Sequence, residues 1–353
     1  MTTRIRSLVR PAQTADVAGH PVPLHYGNVD AEYGQLRAGA GLIDLDARGR
    51  LRMDGPRAAE MLNGLVTNDT GQLAPGRGVY AAALTPKGKT VADLRIHRVE
   101  EAAFLIDAPA RAHAGWMAMV RKYVNPRLAP YRDLSAETTM LAVAGARAAD
   151  VVRRVFGHAD PTELPGFVNV PVVWESVPLT LLRVPELWDH VYQLVAPAEA
   201  RDSLWSALTT AEAAPVGLAA WEIARVESGR PEWGLDIDDT TIPQEANLES
   251  LHAISFTKGC YVGQEVVARI HFRGHVNRHL RGLSCGEELP PMHAALHDAN
   301  GKLVGDVRTA VQSPRLGAIA LAMVRREVDS GSTLAARWDD GESRVEVVDL
   351  PFP

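Results

Sequence analysis

The chain is poor in several features that would place a protein quickly, and each shortage excludes something. It has two cysteines, Cys260 and Cys285, in 353 residues. Two thiols cannot build a disulfide framework, enclose a structural zinc or hold an iron–sulfur cluster unaided. A reducing compartment follows, read as bacterial cytoplasm with a mitochondrial matrix as the lesser alternative. No apolar run approaches the ~20 residues a membrane span needs, so no membrane partner is expected. The start, Met1 to His20, carries Arg4, Arg6 and Arg10 without a continuous apolar stretch. It is therefore no secretory signal and reads as a short disordered arm, with a faint likeness to a transit peptide. Surplus positive charge is also missing: a net charge of −6 and a pI near 6.1 argue against a dedicated nucleic-acid binder. No fixed-period repeat and no low-complexity segment is present.

What is there is an ordinary globular composition, 46% hydrophobic and 23% charged, on a chain long enough for two or three real cores. Its texture changes near residue 275. Before that point helical and strand patterns alternate. Asp54 with Pro56 reads as a helix start before Ala58, Met61, Leu62 and Leu65. Val79 to Leu84 and Thr90 to Val99 flank a Thr85-Pro86-Lys87-Gly88-Lys89 turn and read as a hairpin. In its second strand Ala92, Leu94 and Ile96 share one face, and Asp93, Arg95 and His97 the other. The alanine-rich stretches 134–160 and 197–214 read as helices packed on sheet. From Arg278 onward short strands are broken by turns at Asn300-Gly301, Ser313-Pro314, Ser330-Gly331 and Asp340-Gly341, a small antiparallel barrel or sandwich.

Two places carry candidate chemistry. Lys258-Gly-Cys260-Tyr-Val-Gly-Gln-Glu265 sets a cysteine between a lysine and an aromatic ring, held by two glycines. Lys258 favours a thiolate if the two side chains converge; a small buried hydrophobe in a turn is the other reading. The second place is the helix before Gly229. Ala219, Ile223 and Val226 form its apolar stripe, and Trp221 projects about 200° from Ala219. Glu227 ends that helix against the dipole gradient, next to a glycine, which hints at a ligand-facing role.

From Trp221 to Leu280 the chain resembles the YgfZ family, folate-binding relatives of the glycine-cleavage T protein (aminomethyltransferase). The residues that carry this are Arg225-Val-Glu227-Ser-Gly229, Asp236-Ile-Asp238, Ile242-Pro-Gln244-Glu-Ala-Asn247-Leu248 and Lys258 to Glu265. Val267-Ala-Arg269, Phe272-Arg-Gly274 and Asn277-Arg-His-Leu280 continue it. Upstream, Pro23-Leu-His-Tyr-Gly27 and Gly76-Arg-Gly-Val-Tyr80 look more like the T protein itself. The resemblance implies an α+β fold, a three-domain ring around a folate pocket closed by a C-terminal antiparallel β-barrel. On that division residues 1–275 form the folate-binding region, as two interleaved α+β domains with the second at about 46–135, and 276–353 form the barrel. It also implies tetrahydrofolate as cofactor, Glu227 on the pterin edge and Trp221 packed on the folate, with Tyr80 and Arg225 as weaker candidates.

Aminomethyltransferases carry an aspartate pair where this chain reads Ala92-Asp93, and the first of the pair is taken as the acting one. With Ala92 there, the transferase reaction is not expected. The leading expectation is a tetrahydrofolate-binding protein that supports iron–sulfur cluster assembly or repair in client enzymes, with Cys260 and Lys258 as the reactive pair. Alternatives are a folate-dependent aminomethyltransferase of the glycine cleavage system and an accessory protein in tRNA modification. For the latter, Arg269, Arg273, Arg278 and Arg281, interleaved with His271, His275 and His279, form a candidate basic patch. Glycine and arginine breaks argue against a continuous helix there, so a metal site is not expected.

Overall fold

The computed structural model describes residues 10–157, 166–188 and 191–353. It opens with a hairpin, β1 (Gln13–Val17) and β2 (His20–His25). Ala18 and Gly19 between them both hold positive φ, as a two-residue turn between right-twisted strands requires. The expected disordered arm is thus ordered from Gln13 on, because an Ala-Gly turn lacks the Asn-Gly signature. Residues 1–9 of that arm lie outside the described residues.

The chain continues through α1 (Val29–Ala38), β3 (Gly41–Asp44), β4 (Gly49–Asp54) and α2 (Ala58–Asn63). β5 (Gly78–Leu84), β6 (Thr90–Glu100) and β7 (Ala103–Ala108) then lead to α3 (Ala110–Tyr123) and β8 (Tyr131–Asp133). Next come β9 (Thr138–Ala144), α4 (Ala148–Phe156), β10 (Val168–Trp174), β11 (Val177–Val184) and β12 (Val191–Pro197). α5 (Arg201–Thr210), β13 (Ala214–Val216), α6 (Leu218–Glu227) and α7 (Gln264–Arg273) complete this part. Among the described residues no helix is long and apolar enough to cross a membrane.

Two sheets organise these elements. One has the order β5-β6-β7-β4-β8, the other β10-β11-β12-β9-β3-β13, whose edge strand β13 runs parallel to β3. Asp54 is the last residue of β4, and α2 begins at Ala58 after Arg57 with no side-chain cap. The Asp54 carboxylate instead takes Arg52 Nε at 2.8 Å. Residues 134–160 are not one helix: Thr138–Ala144 is a buried strand between β12 and β3. A strand buried on both faces loses polar alternation, so its alanines read as helix formers. The last residues of that stretch, 158–160, lie outside the described ones.

β14 (Arg278–Ser284), β15 (Ala295–His297), β16 (Leu303–Ser313), β17 (Gly317–Arg325), β18 (Thr333–Trp338) and β19 (Gly341–Val348) close into an antiparallel barrel. β17 is buried on both faces. Ala318, Ala320, Ala322 and Val324 fill the barrel, while Ile319, Leu321 and Met323 pack outward with Val226 of α6. That doubled burial fixes α6 between the barrel on one side and α1 and β2 on the other. Hence α6 is buried nearly all round, beyond the single stripe of Ala219, Ile223 and Val226.

Candidate active site and central cavity

Between the two sheets lie two adjoining hollows, the two lobes of a candidate site, that share Arg48, Glu186 and Glu232 in their walls. The first, about 610 Å³ with its open mouth, is lined largely by apolar groups, among them Val17, Val22, Pro109, Leu218 and Trp221. The second, about 420 Å³ with its open mouth, is polar and includes Tyr80, Asp93, Arg95, Arg225 and Arg230. An apolar wall beside a few convergent polar groups is the usual form of a small-molecule site.

The parity of β6 supplies the polar lobe. Ala92, Leu94 and Ile96 face the core against Trp116 and Ala112 of α3, so Asp93 and Arg95 face the cavity. This corrects the argument drawn from Ala92. A carboxylate at 92 would point into packed hydrocarbon; the carboxylate this strand offers to the cavity is Asp93. Its Oδ2 accepts the Tyr80 hydroxyl at 3.0 Å, and its buried Oδ1 has no hydrogen-bond partner among the described residues. Burial pushes the Asp93 carboxyl upward, against the pull of Arg48 and Arg95, so it takes up and holds a proton more readily than an exposed aspartate. The same burial, reinforced by Asp93, keeps Tyr80 protonated.

Around Asp93 the cations are held in place. Asp107 Oδ1 accepts from Arg48 and, at 3.1 Å, from Arg95, which also pairs with Glu186. On α6, Trp221 is buried and lines the apolar lobe. Arg225 borders the polar lobe but is fully occupied, with Asp236 at 2.6 Å, Glu222 at 2.7 Å and Thr309 at 3.2 Å. Glu227 lines neither lobe. Its carboxylate takes Tyr33 Oη at 2.9 and 3.0 Å, Ser313 Oγ at 2.5 Å and Arg315 at 3.4 Å. Those donors offset the unfavourable helix end and tie α6 to α1 and to the barrel.

The Lys258–Glu265 segment sits elsewhere. The buried Lys258 ammonium donates to the carbonyls of Asn63, Val66 and Asn68 at 2.6, 2.7 and 2.8 Å, and lies 5.0 Å from the Tyr261 ring centroid. Its three protons point inward, whereas Cys260 is exposed; the expected Lys258–thiolate pairing is not what the ammonium does. Gly263, at φ 84°, precedes α7 where a Cβ would come 2.6 Å from the Thr85 carbonyl, so the motif packs directly on the β5–β6 turn. Cys285 is buried in the barrel core, which pushes its thiol up to about 12. His271 lies in the last turn of α7, stacked 3.6 Å from Phe256 and bound to Glu249, while His279 belongs to β14.

Two family models match the chain: the GCVT N-terminal domain over residues 6–258 and the glycine cleavage T-protein C-terminal barrel domain over 278–352. The chain belongs to the T-protein (GCVT) family. Relatives named aminomethyltransferase include one from Streptomyces coelicolor, 30% identical over 97% of this chain and 94% of that protein. Another, from Chlorobium phaeobacteroides, is 27% identical over 97% and 94%. The crystal structure of the glycine cleavage system aminomethyltransferase T from Bartonella henselae matches with a TM-score of 0.88 at 24% identity, covering 97% of this chain and 94% of that one. The fold is therefore the T-protein fold, mixed α and β with a closed six-stranded antiparallel barrel.

Several cavity residues carry no sequence signal: Arg48, Glu186 and Glu232 stand singly in unremarkable contexts. Asp93 and Arg95 were visible as one face of a strand, without any sign that this face meets a cavity.

Proposed function

We propose that the chain binds a reduced folate across the two lobes and serves the transfer of an aminomethyl-type one-carbon unit there. The observation that carries this reading is the buried, unpaired Oδ1 of Asp93 in the polar lobe, beside Tyr80. When bound, the folate supplies the nitrogens that carry the one-carbon unit. Asp93 holds or takes up a proton at Oδ1, Tyr80 fixes its other oxygen, and the Arg48–Asp107–Arg95–Glu186 network keeps the wall rigid and charge-balanced. Trp221 and its apolar neighbours give the other lobe an apolar wall for the ligand to pack on. Calorimetry with tetrahydrofolate tests the binding, followed by an aminomethyl-transfer assay on the same sample. Saturable binding is expected, with a change in tryptophan emission that Trp221→Phe largely removes. No heat with tetrahydrofolate or its 5-formyl derivative at millimolar ligand would end the proposal.

A second reading has its own observation, the exposed Cys260 on a loop braced from beneath by Lys258. On it the chain is a YgfZ-type protein: it binds reduced folate but supports iron–sulfur cluster assembly or repair in client enzymes, with Cys260 as a transient ligand or nucleophile. A part in tRNA modification would follow through such clients. Cys260→Ser changes one exposed atom, so it is expected to melt with the wild type and to bind folate. The second reading requires that it fail to restore iron–sulfur enzyme activity in cells lacking the native protein. Full rescue leaves the transfer reading alone.

A further inference from the structure

We infer that Glu232, rather than Glu227, reads the hydrogen-bond-donor edge of the bound ring. This deepens the folate reading and rests on it. Four carboxylates line the cavity: Asp44, Asp93, Glu186 and Glu232. Asp44 spends its oxygens on the Asp46 amide and Arg201. Glu186 spends its own on Arg95 and Gln193. Asp93 keeps one oxygen free, in the polar lobe. Glu232 borders both lobes; its Oε1 takes Arg111 at 3.1 Å, and Oε2 has no hydrogen-bond partner among the described residues. Glu227 is closed off by Tyr33, Ser313 and Arg315.

A reduced pterin presents a ring N–H and an exocyclic amino group side by side, two donors that only an acceptor pair satisfies. A carboxylate is the side chain that offers two acceptors on one planar group. Arg111, from outside the cavity, takes one lone pair of Oε1, so Oε2 is wholly free and Oε1 keeps its second lone pair for that edge. The backbone holds it too, since the Glu232 amide donates to Asp236 Oδ2 at 3.0 Å, which locks the Arg230–Asp236 loop onto the buried Arg225.

The pH behaviour provides an independent reading. Burial and the nearby Glu222 raise the Glu232 carboxyl to about 7, with Arg225 and Arg48 opposing and Asp93 adding to the rise; Arg111 is the cation in contact. The ionised form is the acceptor pair, so affinity should climb as pH rises through about 7 and fall off below it.

The test compares tetrahydrofolate with its 2-desamino-2-methyl analogue by calorimetry, on the wild type, Glu232→Gln and Glu227→Gln, across that pH range. The wild type is expected to prefer tetrahydrofolate at least about tenfold. Glu232→Gln should weaken tetrahydrofolate about 10- to 100-fold, from losing a charge-assisted pair, and should erase both the preference and the pH slope. A merely structural glutamate would change affinity for both ligands alike. Retained preference in Glu232→Gln, or its loss only in Glu227→Gln, overturns the inference while leaving folate binding intact. A wild type that prefers neither ligand overturns it even if the variant fails to fold. A wild type that binds neither ligand sinks the folate reading itself.

Discussion

Asp93→Asn is expected to cut aminomethyl transfer about 10²–10⁴-fold, the range that a positioned acid or base contributes. The loss should fall on kcat with little change in KM, because a group that acts on a proton in the transition state adds little to ground-state binding. Asparagine keeps the shape, and its side-chain oxygen can still accept from Tyr80. The same variant should melt no lower than the wild type at neutral pH. Burial raises the Asp93 carboxyl above its unfolded value, so the native state favours the protonated form. Stability tied to that proton is present below the unfolded value and is lost as pH rises through the folded one. A neutral asparagine escapes that loss, so its advantage should shrink as pH is lowered. Lower activity at equal or higher stability marks a residue kept for chemistry. Unimpaired transfer by Asp93→Asn would remove the acid–base role, and a wild type that binds folate without transferring would favour the YgfZ-type reading.

Strand parity makes one part of this site legible in the sequence, since it sets Ala92 and Asp93 on opposite faces of β6. Which parity meets the ligand depends on where α3 packs, and both faces of β6 are buried, so hydropathy gives no preference. The C-terminal barrel was readable from turn spacing, because Asn300-Gly301 and its like are local signals. Glu227 was visible as an anomaly against the helix dipole, but its partners Ser313 and Arg315 come from the barrel, far along the chain. Glu232 was invisible. It is one carboxylate between Pro231 and Trp233, and only the folded cavity distinguishes it from a surface glutamate. Long-range closure of acceptors and donors decides each of these roles, and no local pattern encodes it.

Lys258→Met is expected to destabilise the fold by about 3 kcal/mol or more. Methionine approximates the lysine stem, so packing changes little. What disappears is the donor to three carbonyls, those of Asn63, Val66 and Asn68. These acceptors are backbone groups that no compensating side-chain change can remove, and each buried carbonyl left unpaired costs about 1–3 kcal/mol. Burial pulls the ammonium down to about 8, which still leaves it charged at neutral pH, where it serves all three acceptors. The lysine thus clamps the turn after α2 to the loop that carries Cys260, and Val262 adds a backbone bond to Gly64 at 3.1 Å. Thermal unfolding should show the loss as a lower Tm. Alkylation of Cys260 at fixed pH should be no slower in the variant, and should quicken if the loop loosens. A thiol activator predicts the reverse, an unchanged Tm with slower alkylation, and that outcome would return Lys258 to the chemistry of Cys260.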